Sequence, residues 1–240
     1  PGHSRAIQKK GTSYIDDFEG SETSIDMKNP AAWVLASTPQ GQPSMFPEGE
    51  LIDSLPYNYN RAKLAWYHID PLFLRENSPN MPQYLKSNPE TRSSHFVREI
   101  YEKELFPNRD NPNDIPASIQ VLNLAYFPKE RGVYNYEHKP AGEPGISRGV
   151  NPDGSLKNPE SRWAGIMREI STTDFEESNV EYIEFWMMDP FVYDSTRSNE
   201  GTLYFNLGNV SEDILKDSRK SFENGLPSSE QVDMVDSTSW

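Results

Sequence analysis

Apolar residues gather most densely between Val180 and Val210, in VEYIEFWMMDPFVYDSTRSNEGTLYFNLGNV. Leu203, Phe205 and Leu207 alternate there with Thr202, Tyr204, Asn206 and Gly208. A period of two predicts a strand with one buried and one wetter face. The preceding run is apolar on both parities: Ile183, Phe185 and Met187 on one side, Tyr182, Trp186 and Met188 on the other. Only Glu184 interrupts it, so a strand covered on both faces is expected, closed by Pro190, which cannot donate to a ladder. The two runs are predicted to be neighbouring central strands whose aromatic rings form the core.

The same alternation predicts further strands at Thr12–Phe18, Ala31–Ala36, Arg61–Ile69, Ile119–Phe127 and Arg162–Ile170, with Pro128 closing the fourth of these. Ser94–Phe106 has approximate helical spacing, and Ser211–Phe222 carries helix signals: Ser211 as cap, Glu212 and Asp213 in the first turn, Gly225 as terminator. Thr38–Asn60, Pro71–Pro89, Pro107–Pro116 and Lys129–Glu160 are punctuated by proline, glycine and asparagine and are expected to be loops. Low apolar content predicts mobility in Thr38–Asn60 and Lys129–Glu160 and makes them candidate contact surfaces. Strands joined by long loops without crossover helices predict a mostly β fold, an antiparallel jelly-roll sandwich (galactose-binding-like) with one or two short peripheral helices. The expected organisation is a tag or linker over residues 1–11, a β-sandwich domain over 12–227 and a flexible tail over 228–240.

Composition narrows the function classes. Over 240 residues, 12% are aromatic but only 35% hydrophobic, with 20 prolines and a mean hydropathy of −0.79, so few but large residues must make the core. No apolar run of about 18 residues occurs, so no helix spanning a bilayer is expected. A net charge of −14 and a pI near 4.7 disfavour nucleic acid and anionic membrane as partners. With no cysteine there is no disulfide, zinc thiolate or cysteine nucleophile.

The residues with chemical potential are few. Glu184, inside an apolar strand, could act with Glu169 or Asp189 as the carboxylate pair of a glycoside hydrolase. The competing reading pairs Glu184 with a base such as Arg168, as buried acids require. His3, His68, His95 and His138 have no metal-ligand spacing, and His68 is expected to be a packed strand residue. Asp16, Asp17 and Glu19 end the first strand and could hold a structural calcium; otherwise they are a solvated turn, and no cofactor is expected. Trp186 and Tyr204, with Tyr182 beside them, could form a sugar-binding platform, although cover by loops is the expected fate of that face. No catalytic, cofactor-binding or metal residue is assigned.

Six segments resemble one family: YIDDFEGS (Tyr14 to Ser21), NRAKLAWYHID (Asn60 to Asp70), VLNLAYFPKERGVYN (Val121 to Asn135), RWAGIMR (Arg162 to Arg168), VEYIEFWMMDPF (Val180 to Phe191) and LYFNLGNVSEDILKDSRKSFENGLP (Leu203 to Pro227). Together they resemble SprA, also called Sov, the giant outer-membrane translocon of the type IX secretion system in gliding and related bacteria. The resemblance implies a non-enzymatic piece of a very large β-barrel transporter, with a structural or partner-contacting role. It implies the remaining barrel, accessory secretion subunits and secreted cargo as partners, and the outer membrane as location, facing the cell surface or the periplasm. A carbohydrate-binding jelly-roll module is the alternative reading.

Overall fold

The alternating stretches at residues 61–69 and 119–127 give the longest ladder among the described residues. The computed structural model describes residues 25–108, 116–170, 182–194, 196 and 201–216, and the strand backbones at 5–7 and 12–14. Eight short strands are assigned among them: β1 (Arg5–Ile7), β2 (Thr12–Tyr14), β3 (Val34–Leu35), β4 (Ala62–Tyr67), β5 (Ile100–Tyr101), β6 (Ser118–Ile119), β7 (Asn123–Arg131) and β8 (Ile166–Met167). They pair as four two-stranded antiparallel sheets, β1 with β2, β3 with β8, β4 with β7 and β5 with β6. Three single-turn helices accompany them, α1 (Gln83–Lys86), α2 (Pro89–Ser93) and α3 (Glu102–Leu105). The chain is thus mostly β and largely non-helical.

It divides into two units: Pro1–Asn29, Pro71–Gln120 and Glu169–Pro190 form unit 1, and Pro30–Asp70, Val121–Arg168 and Phe191–Trp240 form unit 2. In unit 1, Met81 and Leu85 are buried. Asn88 caps α2, its Oδ1 accepting from Thr91 N at 3.1 Å, with Pro89 at the first helical position where no amide donor is needed. Arg98 grips Glu104 of α3 through two hydrogen bonds, at 2.8 and 2.6 Å, and Glu104 also accepts the Tyr101 amide at 3.0 Å.

In unit 2 the β4–β7 register sets Leu64 opposite Tyr126 and Trp66 opposite Leu124, cross-strand pairs that stabilise one face of the ribbon. Lys63 pairs with Phe127 whereas Ala62 pairs with Arg131, so Pro128, Lys129 and Glu130 are extra residues in a wide bulge. Pro128 therefore does not close the strand. It sits where no ladder donor is required, and β7 continues past it. The bulge carbonyl of Lys129 accepts from Leu156 N at 2.8 Å, which draws the 150s loop onto the ribbon. Ala62, Val150 and Leu156 make a small apolar cluster there.

Several expectations need correction. The run predicted as two central buried strands lies in no sheet among the described residues, and its large side chains are exposed. A segment apolar on both faces needs a layer on each side, and the small sheets of the described residues supply neither. Thr38–Asn60 and Lys129–Glu160 are irregular as expected but are not solvated contact loops, because they bury Phe46, Glu48, Tyr57, Asn135, Glu137 and Leu156. Pro71–Pro89, expected to be a loop, buries Met81 and Leu85. The Ser94–Phe106 helix is replaced by a turn in which Ser94 Oγ accepts from Phe96 N at 3.2 Å, then β5 and α3. Ile119–Phe127 is split between β6 and β7. Residues 211–216 are not helical and bend at Ile214 and Leu215, since Ser211 Oγ and Asp213 Oδ1 take the Asp213 and Lys216 amides at 3.2 and 2.6 Å and compete with helix. Residues 217–222 of that predicted helix, the 228–240 tail and most of residues 1–11 lie outside the described residues, β1 being the exception.

Candidate functional site

The most organised chemistry in unit 2 is a buried polar centre drawn from five separate stretches of chain. Asn60 and Arg61 stand immediately before β4; Arg162 and Trp163 come three residues before β8. Backbone hydrogen bonds tie the two stretches together: Trp163 N donates to Asn60 O at 3.2 Å and Ala62 N to Trp163 O at 2.8 Å. That crossing holds the two arginines side by side. Glu48 arrives on a 3₁₀ turn, Pro47–Glu50, and Glu137 and Ser147 arrive on the loop after β7.

Arg162 and Glu137 form an ion pair at 3.0 Å with both side chains fully buried. Every other edge of that guanidinium is met by oxygen. Nη1 also donates to Tyr59 O at 2.8 Å and Asn60 Oδ1 at 3.2 Å, Nη2 to Gly149 O at 2.9 Å, and Nε to Lys157 O at 2.9 Å. Glu137 accepts a very short hydrogen bond from Ser147 Oγ, and its amide donates to Asn135 Oδ1 at 3.0 Å. Asn135 in turn donates to the Tyr59 and Arg61 carbonyls at 2.9 and 2.7 Å. A buried charge is tolerated only when its partners are this complete.

Arg61 forms the second half of the centre. Its Nε donates to Asn58 Oδ1 at 2.9 Å and its Nη1 to Ala36 O at 2.6 Å, while the guanidinium lies 4.7 Å from the Trp163 ring centroid. Phe46 meets the same indole edge-on at 5.6 Å. Glu48 is fully buried and accepts from Trp163 Nε1 and Asn60 Nδ2, both at 2.8 Å. Burial pushes the Glu48 carboxyl above its ordinary value, against the pull of those donors and of Arg61. Burial also pushes the Tyr126 hydroxyl up to about 12; it donates to Arg162 O at 2.6 Å.

This centre is packed shut. A cavity of about 10 Å³ beside it, lined by Ser54, Leu55, Asn58, Tyr134, Tyr136 and Leu215, has room for roughly one water molecule and no organic substrate. The arrangement can fix the relative position of loops; it presents no reacting atom to a ligand. Sequence reasoning missed Glu48, Glu137 and both arginines as a unit. All four acidic and basic groups lie in or beside polar, proline- and glycine-rich stretches, which read as solvated, and no local period marks them.

The residues singled out from sequence lie elsewhere. Glu184, Glu169 and Asp189 are all exposed in unit 1, so Glu184 is not the buried strand carboxylate expected. Arg168 lies in unit 2 with its guanidinium 5.8 Å from the Trp33 ring centroid. His68 is exposed rather than packed, because it falls one residue beyond β4; His95 and His138 are exposed too. His3 and the possible calcium ligands Asp16, Asp17 and Glu19 lie outside the described residues. Among the described residues no group of three acidic or histidine side chains is placed to hold a metal, and no helix is long and apolar enough to cross a membrane. Trp186 and Tyr182 in unit 1 and Tyr204 in unit 2 are exposed, not covered by loops as expected. No protein-family model matches the chain, and no curated protein matches it.

Proposed function

We propose that the chain is a non-catalytic, soluble domain of an outer-membrane protein translocon of the SprA/Sov kind in type IX secretion. It serves a structural role or contacts cargo and accessory subunits. The observation that carries this reading is the resemblance of six segments spread between Tyr14 and Pro227. Two physical features support it. The buried centre immobilises loops rather than offering a reactive group, as a scaffold requires. Apolar segments such as Leu203–Leu207 stand exposed, as a contact surface requires, with Phe205 and Leu207 at 55% and 57%. The proposal includes completion of the small sheets into a jelly-roll sandwich within the full-length translocon, where the neighbouring partners are the barrel, accessory subunits and cargo.

The test is export by the full-length translocon carrying Tyr204→Lys and Phe205→Lys. Cargo appearing outside the cell should drop at least tenfold while the translocon itself reaches the outer membrane at its normal level. Normal export by that variant overturns the contact role. The carbohydrate-binding alternative is favoured by the exposed Trp186 indole. Calorimetric titration with a panel of oligosaccharides decides it: sugar binding lost on Trp186→Ala would replace the translocon reading.

A further inference from the structure

Three stretches of unit 2 wall its small cavity: residues 51–58, 132–136 and 211–216. Each holds a residue with a side chain in the left-handed region that favours glycine: Asp53 at φ +47°, Tyr134 at +62° and Lys216 at +54°. Among the described residues, Asn158 alone shares that conformation away from these walls. Tyr134 takes the third place of a turn closed by Asn135 N donating to Gly132 O at 3.2 Å, a place that glycine or asparagine fills more easily. Asp53 N donates to Lys216 O at 3.1 Å, so two of the strained residues hold each other. Strain of this kind persists where the surroundings over-determine it, and it gathers at clamps for ligands.

The walls carry apolar surface out to solvent. Leu55 and Tyr136 line the cavity and are still 43% and 37% exposed; Ile52 and Val133, on the same two walls, are 65% and 57% exposed. The cavity takes nothing larger than a water, so a partner must lie across this surface instead of inserting a side chain. A proline ring meets that condition, being flat, rigid and suited to aromatic-lined surfaces. A polyproline II segment also loses little freedom on binding, and its carbonyls remain open to a donor such as the Tyr136 hydroxyl. The surrounding charge selects further. From residue 30 to residue 60 the chain carries Glu48, Glu50 and Asp53 and no lysine or arginine. Asp53 and Glu212 are exposed on two of the walls. The nearby cations are turned inward: Lys216 Nζ donates to Gly49 O at 2.8 Å and lies 5.4 Å from the Tyr57 ring centroid, and Arg131 Nη1 donates to Glu137 O at 3.2 Å. An apolar patch edged by carboxylates suits a cationic partner, and a net charge of −14 disfavours a second copy.

We infer that the surface of Ile52, Leu55, Val133 and Tyr136 docks a proline-rich peptide segment flanked by basic residues. The inference does not rest on the secretion reading. Calorimetric titration of the full chain with synthetic peptides tests it. A run of prolines with arginines at both ends should bind with a Kd below about 1 mM. A glycine–serine run of equal length between the same arginines should bind at least tenfold more weakly, and so should the proline run with glutamates in place of the arginines. Tyr136→Ala should weaken the proline peptide at least tenfold. Asp53→Asn keeps a residue that tolerates the left-handed backbone and should weaken it severalfold at low salt, a difference that high salt erases. If Tyr136→Ala loses the near-ultraviolet circular dichroism of the wild type, Ile52→Ser decides in its place, with a severalfold loss expected. No binding by the wild type, equal binding of the glycine–serine peptide, or binding indifferent to the Tyr136 or Ile52 change overturns the proposal. So does a wild-type dimer in sedimentation velocity that Tyr136→Ala or Ile52→Ser abolishes, which would give this surface to a second copy.

Discussion

The Arg162–Glu137 pair shows what a single residue does in this protein. The guanidinium reaches three separate carbonyls and one side chain, Asn60, besides its carboxylate, so it cross-links the start of β4, the post-β7 loop and the approach to β8. Removing one partner of such a pair leaves an uncompensated buried charge and typically costs about 3–5 kcal/mol. Arg162→Met is therefore expected to destabilise unit 2 by that amount in denaturant titration. The double variant Arg162→Met with Glu137→Met should lose clearly less than the sum of the two singles, because no charge is then stranded. None of this could be read from the sequence. Glu137 sits in YNYEHKP and Glu48 in FPEGE, contexts whose polar and turn-forming residues signal solvent. By contrast, Glu184 drew notice by its apolar neighbours, yet it is exposed. A carboxylate's environment is set by what packs on it from distant chain, which local context does not encode.

At the scale of elements, β4 and most of β7 follow directly from their alternation, since cross-strand pairing rewards a period of two. Pro128 misleads because its missing donor is compatible with a bulge as well as with a strand end. The post-β7 loop is held by backbone contact too tight for side chains. Gly149 has φ +85°, and a Cβ there would approach Gly142 N and Lys139 O to 2.5 Å. Gly149→Ala should cost about 1–3 kcal/mol from backbone strain, read as a lowered denaturant midpoint without a change of slope. The run Tyr182–Met188 is predicted by its pattern to be a strand covered on both faces but joins no sheet of the described residues, so pattern alone does not make an element; a covering layer is also required.

For the molecule as a whole, acidity acts on the two units with opposite sign. In unit 1 the two bonds from Arg98 hold the Glu104 carboxyl down at about 2, from an ordinary 4.5. Its stabilising effect is present above 4.5 and is lost as pH falls toward 2. In unit 2 burial raises Glu48, so its effect is full below 4.5 and is lost as pH rises through the raised value. Hydrogen-exchange protection should accordingly fall at the Tyr101 amide on acidification, while unit 2 gains stability from neutral pH downward. Glu48→Gln should remove the gain in unit 2 and leave Tyr101 unchanged.

Among the described residues, buried polar side chains are as numerous as buried apolar ones. Unfolding therefore uncovers much amide, guanidinium and carboxylate along with modest hydrocarbon. Hydrating hydrocarbon raises the heat capacity and hydrating polar groups lowers it. The two contributions offset each other here more than in an oil-filled domain, so the stability of unit 2 should vary gently with temperature and weaken little on cooling.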